Sequence, residues 1–103
     1  MDDAPDVIFD QQAAAEYRDV RRWYSREASP DLADDFRAEV DRGVEMIARN
    51  PARCGFYDSE QQHRWIRLRR FPYLLIYSVI DEQTVLIVAV AHVRRSPGYW
   101  KDR

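Results

Sequence analysis

Tyr73-Leu74-Leu75-Ile76-Tyr77-Ser78-Val79-Ile80, then Asp81-Glu82-Gln83, then Thr84-Val85-Leu86-Ile87-Val88-Ala89-Val90-Ala91-His92 run without a break in this 103-residue sequence. Two apolar runs of strand length flank a short polar connection, which is the pattern of a β-hairpin. Both runs are apolar at nearly every position rather than at alternate ones, so both faces of their sheet need covering. Upstream, His63 to Arg70 does alternate. Ile66 and Leu68 point one way, and Trp65, Arg67 and Arg69 the other. Phe71-Pro72 breaks this strand from the hairpin.

Before these strands the period is helical. Ala13, Tyr17, Val20, Tyr24 and Ala28 stack on one face of a helix predicted from Ala13 to Ala28, with Arg18, Asp19, Arg22 and Arg26 on the other side. Ser29-Pro30 opens a second helix, Ser as N-cap and Pro at the first helical position, where its missing N–H removes nothing. Leu32, Phe36, Val40, Gly43 and Ile47 form its apolar stripe, and Asp31, Asp34 and Asp35 suit the positive end of its dipole. Asn50-Pro51 ends it, because Pro disfavours helical geometry in the residue before it. Asp6 to Asp10 reads as a brief strand at the start, and Pro51 to Gln62 as a loop with Gly55 as a hinge candidate. The expected fold is α+β in the order β-α-α-β-β-β, a single domain over 1–103. An antiparallel helical hairpin packs on one face of a mainly antiparallel sheet. One hairpin covers one face. The other face must be met by the C-terminal tail, by a second copy or by a partner.

The chain is 46% hydrophobic and 33% charged, enough apolar material for a packed core and too much for intrinsic disorder. The longest strictly apolar run, Val85 to Ala91, falls far short of the roughly 20 residues that a membrane-spanning helix needs. The acidic start Met1-Asp2-Asp3 has neither the basic nor the apolar region of a signal peptide, so a cytoplasmic protein is expected. A lone Cys54 excludes an internal disulfide. His63 and His92 lie far apart with no ligand pattern around them, so no metal and no cofactor is expected. The net charge of -2 hides an asymmetry: residues 1–51 sum to -6 and residues 52–103 to +4, with Arg64, Arg67, Arg69, Arg70, Arg94 and Arg95 among the bases of the second half. Their planar forks suit phosphates and carboxylates, or they simply solubilise an apolar sheet.

In this order of elements, several segments resemble the RelE/ParE superfamily of type II toxins. They are Asn50-Pro51 with Gly55, Ile66-Arg67-Leu68, the aromatic strand Phe71 to Tyr77, the exit Ile87 to His92 with Arg94-Arg95, and the tail Arg95-Ser96-Pro97-Gly98-Tyr99-Trp100. The resemblance implies a toxin neutralised by a cognate antitoxin that wraps its sheet and grooves. DNA would be met only indirectly, through the antitoxin. It also implies one of two targets. ParE-like members inhibit DNA gyrase and carry no recognised catalytic constellation, whereas RelE-like members cut mRNA on the ribosome. A toxin-derived binding module without toxicity is a third reading.

For the nuclease branch, RNA cleavage needs proton transfer and stabilised phosphate charge. Arg67 and Arg94 are the candidates for the phosphate, and His92 and Tyr99 for the proton. Trp65, Arg67, Arg69, Tyr73, Tyr77, Arg94, Arg95, Tyr99 and Trp100 are candidates to meet antitoxin or target. Each has a plainer reading: His92 hydrogen-bonded to a loop, Arg67 paired structurally, Tyr99 and Trp100 packed down as a hydrophobic latch. Nuclease members are usually rich in lysine, whereas Lys101 is the only lysine here. Leu74 stands where the middle strand often carries Arg after its Tyr. Both departures favour the ParE-like branch.

Overall fold

A computed structural model describes residues 4–57, 60 and 62–102. The chain runs β1 (Asp6–Phe9), α1 (Gln11–Glu27), α2 (Pro30–Arg49), β2 (Arg64–Arg67), β3 (Tyr73–Asp81), β4 (Thr84–His92) and a 3-10 turn (Tyr99–Asp102). The four strands form one sheet in the order β1-β4-β3-β2. β1 lies parallel to β4, and the other pairings are antiparallel. The expected order of elements is present, with the helical hairpin on one face. Among the described residues no helix is long and apolar enough to cross a membrane.

The caps explain where the helices begin. Ser29 accepts the Leu32 N–H at 3.1 Å and Pro30 takes the first helical position, as its sequence predicts. Asp10, read from sequence as strand, instead caps α1 by accepting the Gln12 N–H at 3.0 Å, so the helix starts at Gln11 rather than Ala13. β2 is shorter than predicted and stops at Arg67. Its chain then turns through Arg70, whose φ of 67° leaves extended geometry. The 51–62 loop is partly paired. Tyr57 N–H donates to His63 and Trp65 N–H to Gly55, laying the loop along the outer side of β2.

Phe36 of α2 is the hub of the helix-side core. It is fully buried, with ring centroids 5.9 Å from Tyr17, 5.7 Å from Tyr24, 5.3 Å from Phe71 and 5.6 Å from Tyr73. Val40, Ile47, Leu75, Tyr77, Val85, Ile87 and Val90 complete this layer. Gly43 lets α2 approach the sheet closely: a Cβ there would stand 3.0 Å from Leu75 Cδ1.

One irregularity governs which residue faces where. Tyr77 pairs with Ile87 and Ile76 with Ala89, so Val88 is an extra residue on β4. This bulge reverses the parity of the strand. Before it Val85 and Ile87 face the helices; beyond it Val90 does, while Ala89 and Ala91 face away.

Candidate functional site

The sheet face opposite the helices carries Trp65 and Arg67 from β2, Leu74 and Ile76 from β3, and Ala89 and Ala91 from β4. Arg67 pairs with Leu74, which pairs with Ala91; Trp65 pairs with Ile76, which pairs with Ala89. Cross-strand partners share a face, so these residues form two adjacent rows. The alanines leave a shallow trough, and the chain's own tail fills much of it. Trp100 is 4% exposed and packs with Ile76, Ala89 and Ala91. Its ring lies 5.4 Å from Tyr57 and 4.5 Å from His63. Gly98, at a φ of 75° that suits glycine, turns the tail and donates its N–H to the Tyr57 hydroxyl at 3.2 Å.

The tail is also fastened to α1. β4 continues beyond the end of β1, whose last pair is Phe9 with Ile87. Glu16 reaches this exposed flank: one carboxylate oxygen accepts the Val90 N–H at 3.0 Å, and the other accepts the Tyr99 hydroxyl in a short bond. Arg95 lies over the Tyr99 ring, its guanidinium carbon 3.7 Å from the centroid. The latch is imperfect, because the Trp100 indole N–H is buried with no partner among the described residues. An unmet donor of this kind costs about 1–3 kcal/mol.

The structure divides the residues singled out from sequence. Trp65 and Arg67 sit together and exposed on the tail face, and Arg69, Arg94 and Arg95 are exposed near the sheet's end. Arg69 gives its backbone N–H to Glu39 at 3.1 Å, so its position is fixed while its charge stays in solvent. His92 is elsewhere. It pairs with Tyr73, their rings 5.1 Å apart, on the helix face, and its Nδ1 accepts the Arg94 N–H at 3.0 Å. The sheet therefore separates His92 from Arg67. The sequence reading grouped these residues because the bulge at Val88, which decides the side of His92, leaves no mark in an unbroken apolar run.

Two expected contact residues are buried in the chain itself. Tyr77 is fully buried under the hairpin and donates its hydroxyl to Pro51 at 2.7 Å, so it presents no surface to a partner. Trp100 is occupied by its own sheet, as the latch reading has it. Tyr73 is half-buried against Phe36 and also faces the helices. Burial raises the Tyr73 pKa above its ordinary value, with Tyr24 adding to it. Burial raises Tyr77 much further, with Cys54 second, against an opposing pull from Arg64. Both phenols are held neutral across the physiological range.

Sequence reasoning missed Glu16 entirely. Its only signal is a carboxylate among small apolar residues of α1, and that becomes meaningful only when β1 is seen to stop short of β4. Among the described residues no group of His, Cys, Asp and Glu could hold a metal ion.

Compared with known proteins, residues 7–97 match the family model of the ParE toxin of the type II toxin–antitoxin system, parDE. Among solved structures, a chain of the chromosomal ParDE toxin–antitoxin system from P. aeruginosa superposes with a TM-score of 0.77 at 16% identity, covering 90% of this chain and 100% of that one. A free-state double arginine-to-alanine mutant of the E. coli toxin RelE superposes at 0.64 with 21% identity, covering 93% and 90%. No curated protein sequence matches. At these identities the superpositions speak for the fold.

Proposed function

The chain belongs to the ParE toxin family of type II toxin–antitoxin systems, and from that premise we propose that it is a cytoplasmic toxin that inhibits DNA gyrase and is silenced by a cognate antitoxin. The observation that carries the choice of target is the dispersal of the groups RNA cleavage would use. His92 lies across the sheet from Arg67 with its Nδ1 engaged by Arg94. The Tyr99 hydroxyl is bonded to Glu16, and Leu74 stands in the row beside Arg67. General acid–base catalysis needs its donor and acceptor within hydrogen-bond reach of one substrate, a condition this arrangement does not favour. Inhibition by binding needs only a surface, and exposed Trp65, Arg67, Arg94 and Arg95 offer planar groups suited to an acidic partner.

Expression of the chain alone in bacteria is expected to stop thymidine incorporation before methionine incorporation, and the purified chain is expected to inhibit supercoiling by gyrase. Arg67→Ala should weaken both effects without unfolding the chain, because the side chain is exposed. The runner-up is ribosome-dependent mRNA cleavage, favoured by Trp65 and Arg67 standing side by side, where a ring can stack on a base and a guanidinium can meet phosphate. An early fall in methionine incorporation with DNA synthesis intact would decide for it and against gyrase.

A further inference from the structure

The end of the molecule away from Arg94 and Arg95 is built differently. Val79 pairs with buried Val85 and so faces the helix side, but α2 has already ended at Arg49 and leaves it 45% exposed. Beside it Phe56 is 42% exposed, and Pro5 and Pro51 complete an open concavity of about 430 Å³ with Asp81 and Glu82 on its rim. Arg64, the cation that lines this concavity, is held in place. It donates to the carbonyls of Ala52 and Cys54, and its guanidinium carbon lies 3.9 Å from the Phe56 ring centre. It acts as a strut for the 51–57 segment, and against its one positive charge the lining of this end sets the carboxylates of Asp81, Glu82 and Asp6. Glu82 also borders a second, polar concavity of about 490 Å³ shared with Asp6. Neither Glu82 nor Asp6 forms an ion pair among the described residues.

We propose that this end docks a short partner segment bearing an apolar side chain, which fills the space between Phe56 and Val79, followed closely by a basic side chain, which sits between Glu82 and Asp6. Exposed apolar surface rimmed by charge is the usual form of an interaction site. The sign of the rim selects a basic segment and repels an acidic one. The occupant is a different molecule rather than a second copy. Copies that set Val93-Arg94-Arg95 into this end would meet head to tail, a contact that builds rings or open chains rather than the two-fold dimer that is commonest among soluble oligomers. The site lies apart from the Trp65–Arg67 face and does not depend on the chain's being toxic.

The test uses the full chain, isotope-labelled, and two blocked peptides, Gly-Leu-Gly-Lys-Arg-Gly and Gly-Leu-Gly-Glu-Glu-Gly, followed by amide chemical shifts. The basic peptide is expected to give saturable shifts centred on Phe56, Val79 and Glu82, and the acidic peptide none there. Glu82→Gln should weaken binding by up to about fivefold, the upper end for an exposed ion pair. Val79→Asp should abolish it, with circular dichroism confirming that this surface variant remains folded. Equal binding of both peptides, shifts centred elsewhere, or no shifts at millimolar peptide would each overturn the proposal. Concentration-dependent association of the free chain that disappears in Val79→Asp would assign the end to a second copy, and would overturn it as well.

Discussion

The two faces of the sheet are covered by different means. On one side two helices bury a layer of large side chains around Phe36, with four other aromatic rings within 6 Å of it. On the other, two alanines and Ile76 lie under one tryptophan from a four-residue turn. The first cover is made by elements that the rest of the chain holds in place. The second hangs on the end of the chain, fixed by Glu16, Tyr57 and Arg95. The contrast separates tasks: the helix face supplies stability, while the tail face keeps apolar surface out of water with a short segment held chiefly through side chains.

The largest expected effect tests the stronger face. Phe36→Ala should cost about 3–5 kcal/mol, the range for an emptied aromatic site in a core, and urea unfolding will show whether the chain still folds. Trp100→Ala should cost only about 1–2 kcal/mol, because the change also removes the buried, unmet indole N–H. Far-ultraviolet circular dichroism should remain that of the parent. A loss equal to that of Phe36→Ala would break the comparison and make the tail a structural element in its own right.

A smaller effect sharpens it through pH. Tyr17, Tyr24, Tyr73 and Tyr77 all lie on the helix side, and burial raises every one above the ordinary value of 10.0. A raised folded-state pKa means that the unfolded chain releases its phenolic protons first. The stabilisation is therefore complete below about pH 10 and is lost as pH rises beyond it. The urea midpoint should be level from pH 8 to 9 and fall above 10. Tyr77→Phe should lose about 1 kcal/mol at neutral pH with the bond to Pro51, yet show a gentler alkaline decline. The smallest effect belongs to Glu16→Gln. The amide keeps an acceptor for the Val90 N–H but loses the charge, so about 0.5–1 kcal/mol is expected. Faster hydrogen exchange at Val90, with the helix-side core unchanged, is the measurement that checks it.

The helix-side architecture was largely legible in the sequence because local chemistry specifies it. Ser29-Pro30 announces α2, Asn50-Pro51 closes it, and the stripe from Leu32 to Ile47 names the buried positions. Asp10 was misplaced by one element, since a carboxylate after Val7-Ile8-Phe9 reads equally as the last residue of a strand or as a cap. The need to cover the second face was legible too, and the tail was among its three possible covers. The position of His92 was not. In Val85 to Ala91 every residue is apolar, so the alternation that would reveal a change of parity is missing and the bulge at Val88 is silent. Glu16 was invisible for a related reason: its role depends on two strands ending at different heights, which is a property of pairing rather than of any local segment.

That difference in height has a consequence of its own. A strand that outruns its neighbour leaves main-chain groups bare, and such a margin can template β-stacking between molecules and seed aggregates. Here the bare margin of β4 is met by a carboxylate from α1, whose charge occupies the Val90 N–H and would have to be stripped of its bonds before a foreign strand could lie down. A single glutamate thus stands in for the missing continuation of β1 and guards that margin against a foreign strand.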